Sequence, residues 1–217
     1  MRTRAVVLSV VVVTLVAIAA WFMFYTNSQA SRSCGTLSPR PTVVAFGDSL
    51  VAGYGAPEGQ DFVSGLSKRV GVPIKNYGRS GDTSAQGLAR AREMVERPDI
   101  VIVVLGGNDA LQKIPIETTK QNLSQVIELF QSYQPKQVHV VLVGVMGGFP
   151  NDPFAAMYKD LAKQYGVTYV PNILSGLFGN QKLMSDQVHP NGAGYEKIAE
   201  RLEPILNKEC ASAYKKI

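Results

Sequence analysis

Acyl transfer by a serine needs a base beside the hydroxyl, and this chain offers few residues for that role. It has two histidines. His139 is flanked by valines in a strand-like run and reads as structural. His189 follows Asp186 by three residues in Ser185-Asp186-Gln187-Val188-His189-Pro190. In a turn, that spacing lets the carboxylate hold the imidazole in one tautomer, and a base so held can activate a serine. Ser49, in Gly47-Asp48-Ser49, closes an apolar run and is the candidate nucleophile. Read alone, the same stretch fits a helix cap equally well, since Asp and Ser are both favoured N-cap residues. A tetrahedral intermediate also needs N–H donors. The candidates are the backbone of Ser49, the backbone of Gly81 and the side-chain amide of Asn108. Glycine at 81 lets the backbone approach a substrate closely.

Other carboxylates read more plainly. Asp48 shapes its turn, and Asp82 and Asp109 are assigned to helix caps. Asp61, Asp152 and Asp160 show no pairing that suggests an acid/base couple. No Gly-x-Ser-x-Gly elbow and no Walker loop occur. Gly53-Tyr54-Gly55 lacks the third glycine of a dinucleotide fingerprint. Two histidines and two distant cysteines form no zinc spacing, so neither a metal nor a cofactor is expected.

The elements that must hold these residues follow from periodicity. Strands are expected at 42–46, 73–77, 100–105, 138–145 and 167–170. Helices are expected at 60–70, 84–96, 117–132 and 153–165, with a last one from 191 to about 207. Residues 172–179 read as one short helical turn. Strands alternating with helices predict a parallel sheet covered on both faces, with the motifs gathered at its carboxyl end.

Four motifs in this order resemble the SGNH hydrolases, also called the GDSL esterase/lipase family. The similarity spans roughly residues 42–207 and is nearest the bacterial acyl-thioesterase, arylesterase and lysophospholipase branch. Gly47-Asp48-Ser49-Leu50 matches the first block and makes Ser49 the implied nucleophile. Residues 76–84 match the second, with Gly81 as oxyanion glycine. Gly106-Gly107-Asn108-Asp109 matches the third, with Asn108 as oxyanion asparagine. Asp186 and His189 match the last block and complete the triad. The implied fold is three-layer αβα, with a five-stranded parallel sheet in flavodoxin-like order 2-1-3-4-5. The implied activity is hydrolysis of acyl esters, thioesters or lysophospholipids. A carbohydrate O-deacetylase and a catalytically silent binding domain are the alternatives. Gly78-Arg79 departs from the small-then-apolar pair of close relatives, so Arg79 is expected to influence substrate choice. Met146, Phe149 and Phe154 are expected to line an acyl pocket.

The 217 residues allow one ordinary domain and an appendage. Residues 5–25 carry no charge and are long enough to span a bilayer. Arg2 and Arg4 precede them, which predicts a cytoplasmic N-terminus and an exported domain. A retained anchor is preferred over a cleaved secretory signal, whereas relatives of this branch are usually released after cleavage. The expected organisation is an anchor at 1–25, a linker at 26–41, the hydrolase domain at 42–210 and a tail at 211–217. Outside the anchor the balance is 20 basic to 17 acidic residues, with no basic block to suggest nucleic acid. In an exported domain, a Cys34–Cys210 bridge is preferred over two free thiols, joining the chain ends at the pole away from the site. No feature of the sequence addresses oligomeric state.

Overall fold

Two uninterrupted apolar runs become the centre of the sheet. β1 (Val43–Gly47) and β3 (Ile100–Val104) are buried along their whole length, as strands covered on both faces must be. The computed structural model describes residues 33–135, 137–145 and 152–214. β2 (Ile74–Gly78), β4 (His139–Val143) and β5 (Thr168–Val170) complete a five-stranded sheet of order β2-β1-β3-β4-β5. All pairings are parallel, with Val43 beside both Ile74 and Ile100. Order reverses at β1, which opens a crevice at its carboxyl end.

Among the described residues, seven α-helices connect and cover the sheet: α1 (Ser49–Ala52), α2 (Phe62–Val70), α3 (Ser84–Arg92), α4 (Gly107–Leu111), α5 (Ile116–Gln131), α6 (Pro153–Tyr165) and α7 (Gly192–Tyr214). α2 and α7 pack together on one side, while α3, α5 and α6 form a row on the other. The expected three-layer αβα architecture and strand order are therefore present. On α5, Leu123, Val126, Ile127 and Phe130 are buried at helical spacing, and Phe130 meets Phe46 of β1 edge-on at 5.4 Å.

The largest departures from the sequence expectation fall in three places. α3 stops at Arg92, and residues 173–179 make successive turns rather than a helical turn. α7 continues past residue 207 to Tyr214 with Pro204 inside it. Proline there removes one helix hydrogen bond. Leu206, Glu209 and Cys210, all buried, hold the later turns against the domain.

Cys210 thus lies within α7, not after it, and is bonded to Cys34 with Cα atoms 5.4 Å apart. The Cys34 N–H donates to Asn207 Oδ1 at 3.1 Å, and the Ser33 hydroxyl donates to the Val70 carbonyl. These contacts fix the start of the described chain at the amino-terminal pole of the sheet. No helix among the described residues is long and apolar enough to cross a membrane; the expected anchor, residues 1–25, lies outside them.

Candidate active site

The end of β1 delivers the serine. Asp48 is 2% exposed and caps α1 by accepting the Leu50 N–H at 3.0 Å. Ser49 is the first residue of that helix, so its N–H has no acceptor within the helix. Its Oγ lies 3.0 Å from His189 Nε2.

The histidine is carried by a self-braced loop ahead of α7. Asp186 Oδ1 accepts the Val188 and His189 N–H groups, each at 2.8 Å, and Oδ2 lies 2.8 Å from His189 Nδ1. The Ser185 N–H donates to the His189 carbonyl at 2.9 Å, and Met184 pairs with Pro190 in an isolated bridge. The Val188 amide, then the His189 side chain and amide, hold the Asp186 carboxyl below the usual carboxylate range. An ionised Asp186 accepts from Nδ1–H, which leaves the Nε2 lone pair facing the Ser49 hydroxyl.

The other candidate donors, Gly81 and Asn108, follow the ends of β2 and β3. Gly81 has φ +89°, a conformation that favours glycine, and an added Cβ would meet no atom within 4 Å. Asn108, on α4, donates one side-chain N–H to the Asp82 carbonyl at 2.9 Å. An amide nitrogen has a second hydrogen to offer.

Asp82 and Asp109 do not cap helices in the way expected. Thr83 caps α3 in a reciprocal box with Gln86, and Asp82 instead pairs with Arg90 at 2.8 Å. Asp109, inside α4, accepts the Ser84 N–H at 2.7 Å, the Ser84 hydroxyl and the Thr119 hydroxyl, tying α3 to α5. Arg90 also donates to the Tyr77 carbonyl at 2.7 Å and the Gly47 carbonyl at 2.8 Å. Its sequence context is an ordinary basic helix position and carried no sign of this clamp.

Burial pushes the Asp48 carboxyl up to about 7; the Leu50 amide opposes this, and the charges of Asp82 and Asp109 add to it. Tyr158 is wholly buried nearby and donates to the Leu105 carbonyl at 2.6 Å; burial drives its hydroxyl well above the ordinary range. Among the described residues, no group of three His, Cys, Asp or Glu side chains is placed to hold a metal ion.

Beside Ser49 and His189 opens a cavity of about 140 Å³ walled by Leu111, Val145, Leu174, Phe178 and Val188. These residues lie on four separate segments, so no periodic pattern marks them in the sequence. The expectation that Phe154 lines this cavity is corrected. Phe154 sits at the start of α6 and packs, partly buried, against the core, because α6 must cover the sheet there. Met146 and Phe149 lie outside the described residues. Arg79 has a side chain 74% exposed and 3.9 Å from Asp82, and it is not part of the cavity wall.

Residues 45–197 match the GDSL-like lipase/acylhydrolase family. The chain is 31% identical over 179 residues to the thioesterase 1/protease 1/lysophospholipase L1 of Escherichia coli (strain K12), covering 77% of this chain and 86% of that protein. It is 32% identical over 178 residues to esterase TesA of Pseudomonas aeruginosa, covering 76% and 87% respectively. A crystal structure of TesA superposes with a TM-score of 0.69 at 30% identity, covering 76% of this chain and 97% of that one. The chain therefore belongs to the GDSL-like lipase/acylhydrolase family, the SGNH hydrolases. It is a serine hydrolase acting on ester bonds.

Proposed function

We propose that this protein is an exported, membrane-tethered esterase that cleaves acyl esters or thioesters, lysophospholipids among them, through an acyl-enzyme on Ser49. The observation that carries the reading is the continuous chain from Ser49 Oγ to His189, at 3.0 Å, and from His189 to Asp186, at 2.8 Å, opening on an apolar cavity. As Ser49 Oγ attacks the carbonyl carbon, His189 Nε2 takes its proton. Asp186 keeps the ring oriented and stabilises the imidazolium. The new oxyanion is met by the N–H groups of Ser49 and Gly81 and the Asn108 amide, donors held in place before reaction. The scissile bond then breaks, and the leaving oxygen or sulfur takes the proton from Nε2. A water deprotonated by His189 releases the acid and regenerates the serine.

The apolar wall supports an acyl chain over the small acetyl group of a polar sugar. Tethering rests on the uncharged residues 5–25 behind Arg2 and Arg4. A disulfide between Cys34 and Cys210 suits an oxidising compartment. The test is release of 4-nitrophenol from short and medium acyl esters by the wild-type protein and by Ser49→Ala. Full activity in the variant, or none in the wild type, would remove the esterase reading. Mass measurement of the mature N-terminus and membrane fractionation test the tether independently.

A further inference from the structure

Resting on that esterase reading, we propose that Tyr54 forms the wall against which the leaving alcohol lies, so that the enzyme favours flat, aromatic alcohols. The ring of Tyr54 meets the His189 ring with centroids 4.6 Å apart and planes tilted by 54°. It remains 55% exposed, and it is not part of the cavity that Val188 and His189 help to enclose. The imidazole therefore borders the apolar cavity and also touches an exposed aromatic ring that lies outside it.

The chemistry assigns those two surfaces to different parts of a substrate. At about 140 Å³ the cavity is well below the roughly 300 Å³ at which drug-sized ligand pockets begin, so it takes one arm of an ester and leaves the other outside. Its lining suits the acyl arm. When the scissile C–O bond breaks, the electron pair stays on the alcohol oxygen, which takes its proton from His189 Nε2. With the acyl arm in the cavity, the alcohol sits against the imidazole and outside it. Among the described residues, Tyr54 is the aromatic side chain in ring contact with His189.

The exposed ring is also held on a fixed backbone. Its N–H donates to the Ser49 carbonyl at 3.0 Å, and its carbonyl accepts the hydroxyl of the buried Tyr195 at 2.8 Å. The next residue, Gly55, has φ +91° and lies so near Ser185 Oγ and the Pro190 carbonyl that a Cβ would collide with both. Tyr54 is thus registered against the same loop that carries Asp186 and His189. A large aromatic held this way and left open to solvent is prepared for stacking.

The experiment compares phenyl butanoate with ethyl butanoate, which share an acyl chain and differ in the alcohol, on wild type, Tyr54→Phe and Tyr54→Ala. The readout is the ratio of kcat/KM for the two esters within each protein, which cancels their different intrinsic reactivity. Tyr54→Ala is expected to lower the phenyl-to-ethyl ratio by roughly two- to tenfold, the scale of one aromatic contact. Tyr54→Phe is expected to keep it, since the ring and not the hydroxyl supplies the wall. An equal fall for both esters in Tyr54→Ala would make Tyr54 only a brace for His189 and overturn the proposal, as would an unchanged ratio. A wild type that cleaves neither ester, or cleaves them equally well as Ser49→Ala, would overturn the esterase reading itself.

Discussion

Arg90 and Asp82 are paired at 2.8 Å, and the same guanidinium binds the backbone carbonyls that end β1 and β2. One side chain thereby fixes the strand that delivers Ser49 relative to the loop that delivers Gly81. It also lies 4.3 Å from the centre of the Phe46 ring, in cation–π contact. The position of Ser49 relative to Gly81, the proposed nucleophile and oxyanion donor, is therefore held by a side chain from outside the proposed triad.

Replacing Arg90 with Ala removes the close partner of buried Asp82 and the side-chain donor to the Tyr77 and Gly47 carbonyls, of which Gly47 keeps the Arg79 N–H at 3.0 Å. Breaking a buried pair from one side costs about 3–5 kcal/mol; Arg90 retains some solvent access, so the lower end is expected. Denaturant unfolding measures this. Arg90→Lys is expected to recover part of the stability and little of the activity, because a single ammonium cannot span three acceptors. Full activity in Arg90→Lys would show that this alignment is unimportant.

On the proposed mechanism, Asp186→Asn keeps an acceptor for the Val188 and His189 amides but turns an NH₂ group toward Nδ1. The imidazole then favours the tautomer with its proton on Nε2, which cannot accept from Ser49. A fall in kcat of about 10²–10⁴ is expected, with KM little changed. Steady-state kinetics on one ester decides it; a fall confined to KM would contradict the assigned role.

On the proposed mechanism, Asn108→Ala removes one oxyanion donor, for which a loss of about 10²–10³ in kcat is expected. Since that amide also ties α4 to the Asp82 carbonyl, thermal unfolding must accompany the kinetics. A kcat loss no larger than the effect of a control substitution elsewhere on α4 would remove Asn108 from the oxyanion site.

The raised pKa of Asp48 gives a signed pH dependence. Its ordinary value is 3.8, and in the folded chain it is about 7. Between these values the folded protein holds a proton that the unfolded chain releases. The associated stability is complete below 3.8 and is lost as pH rises through about 7. The full loss is on the order of 4 kcal/mol. Asp48→Asn retains an oxygen for the Leu50 N–H and cannot ionise. It is expected to flatten this dependence and to exceed wild-type stability above about pH 7. Unfolding curves of the two proteins across that range, taken as a difference, isolate the effect; parallel curves would refute it.

Much of this fold could be read before any coordinate was seen, and the reason lies in particular residues. Residues 100–104 are all β-branched and can hardly be anything but a central strand, and each motif follows an element whose period is clear. Asp186 and His189 were recognisable because their contact is local to one turn. The contacts without a local signal depend on distant neighbours. Arg90 finds its acceptors 13 and 43 residues away, and Tyr195 reaches Tyr54 across 141. Periodicity reports which face of an element is buried, not which side chain turns toward a cleft. That is why Phe154 was expected in the cavity wall where Leu111, Leu174 and Phe178 stand. The last helix likewise runs past its expected end near residue 207, because local propensity takes no account of the burial of Glu209 and Cys210.

The bridge between Cys34 and Cys210 closes a span of 176 residues, and on chain-entropy grounds a loop this long corresponds to about 5 kcal/mol at most. Cys34→Ser with Cys210→Ser is expected to lower the melting temperature while leaving kcat intact well below it, since the site lies at the other pole. The same bridge decides how force enters the domain. Tension on the N-terminal end runs through the sulfurs into α7 and bypasses β1, so the strand behind Ser49 carries no load. On the proposed tether, the cleft would face away from the point of attachment, like a tool held by its handle.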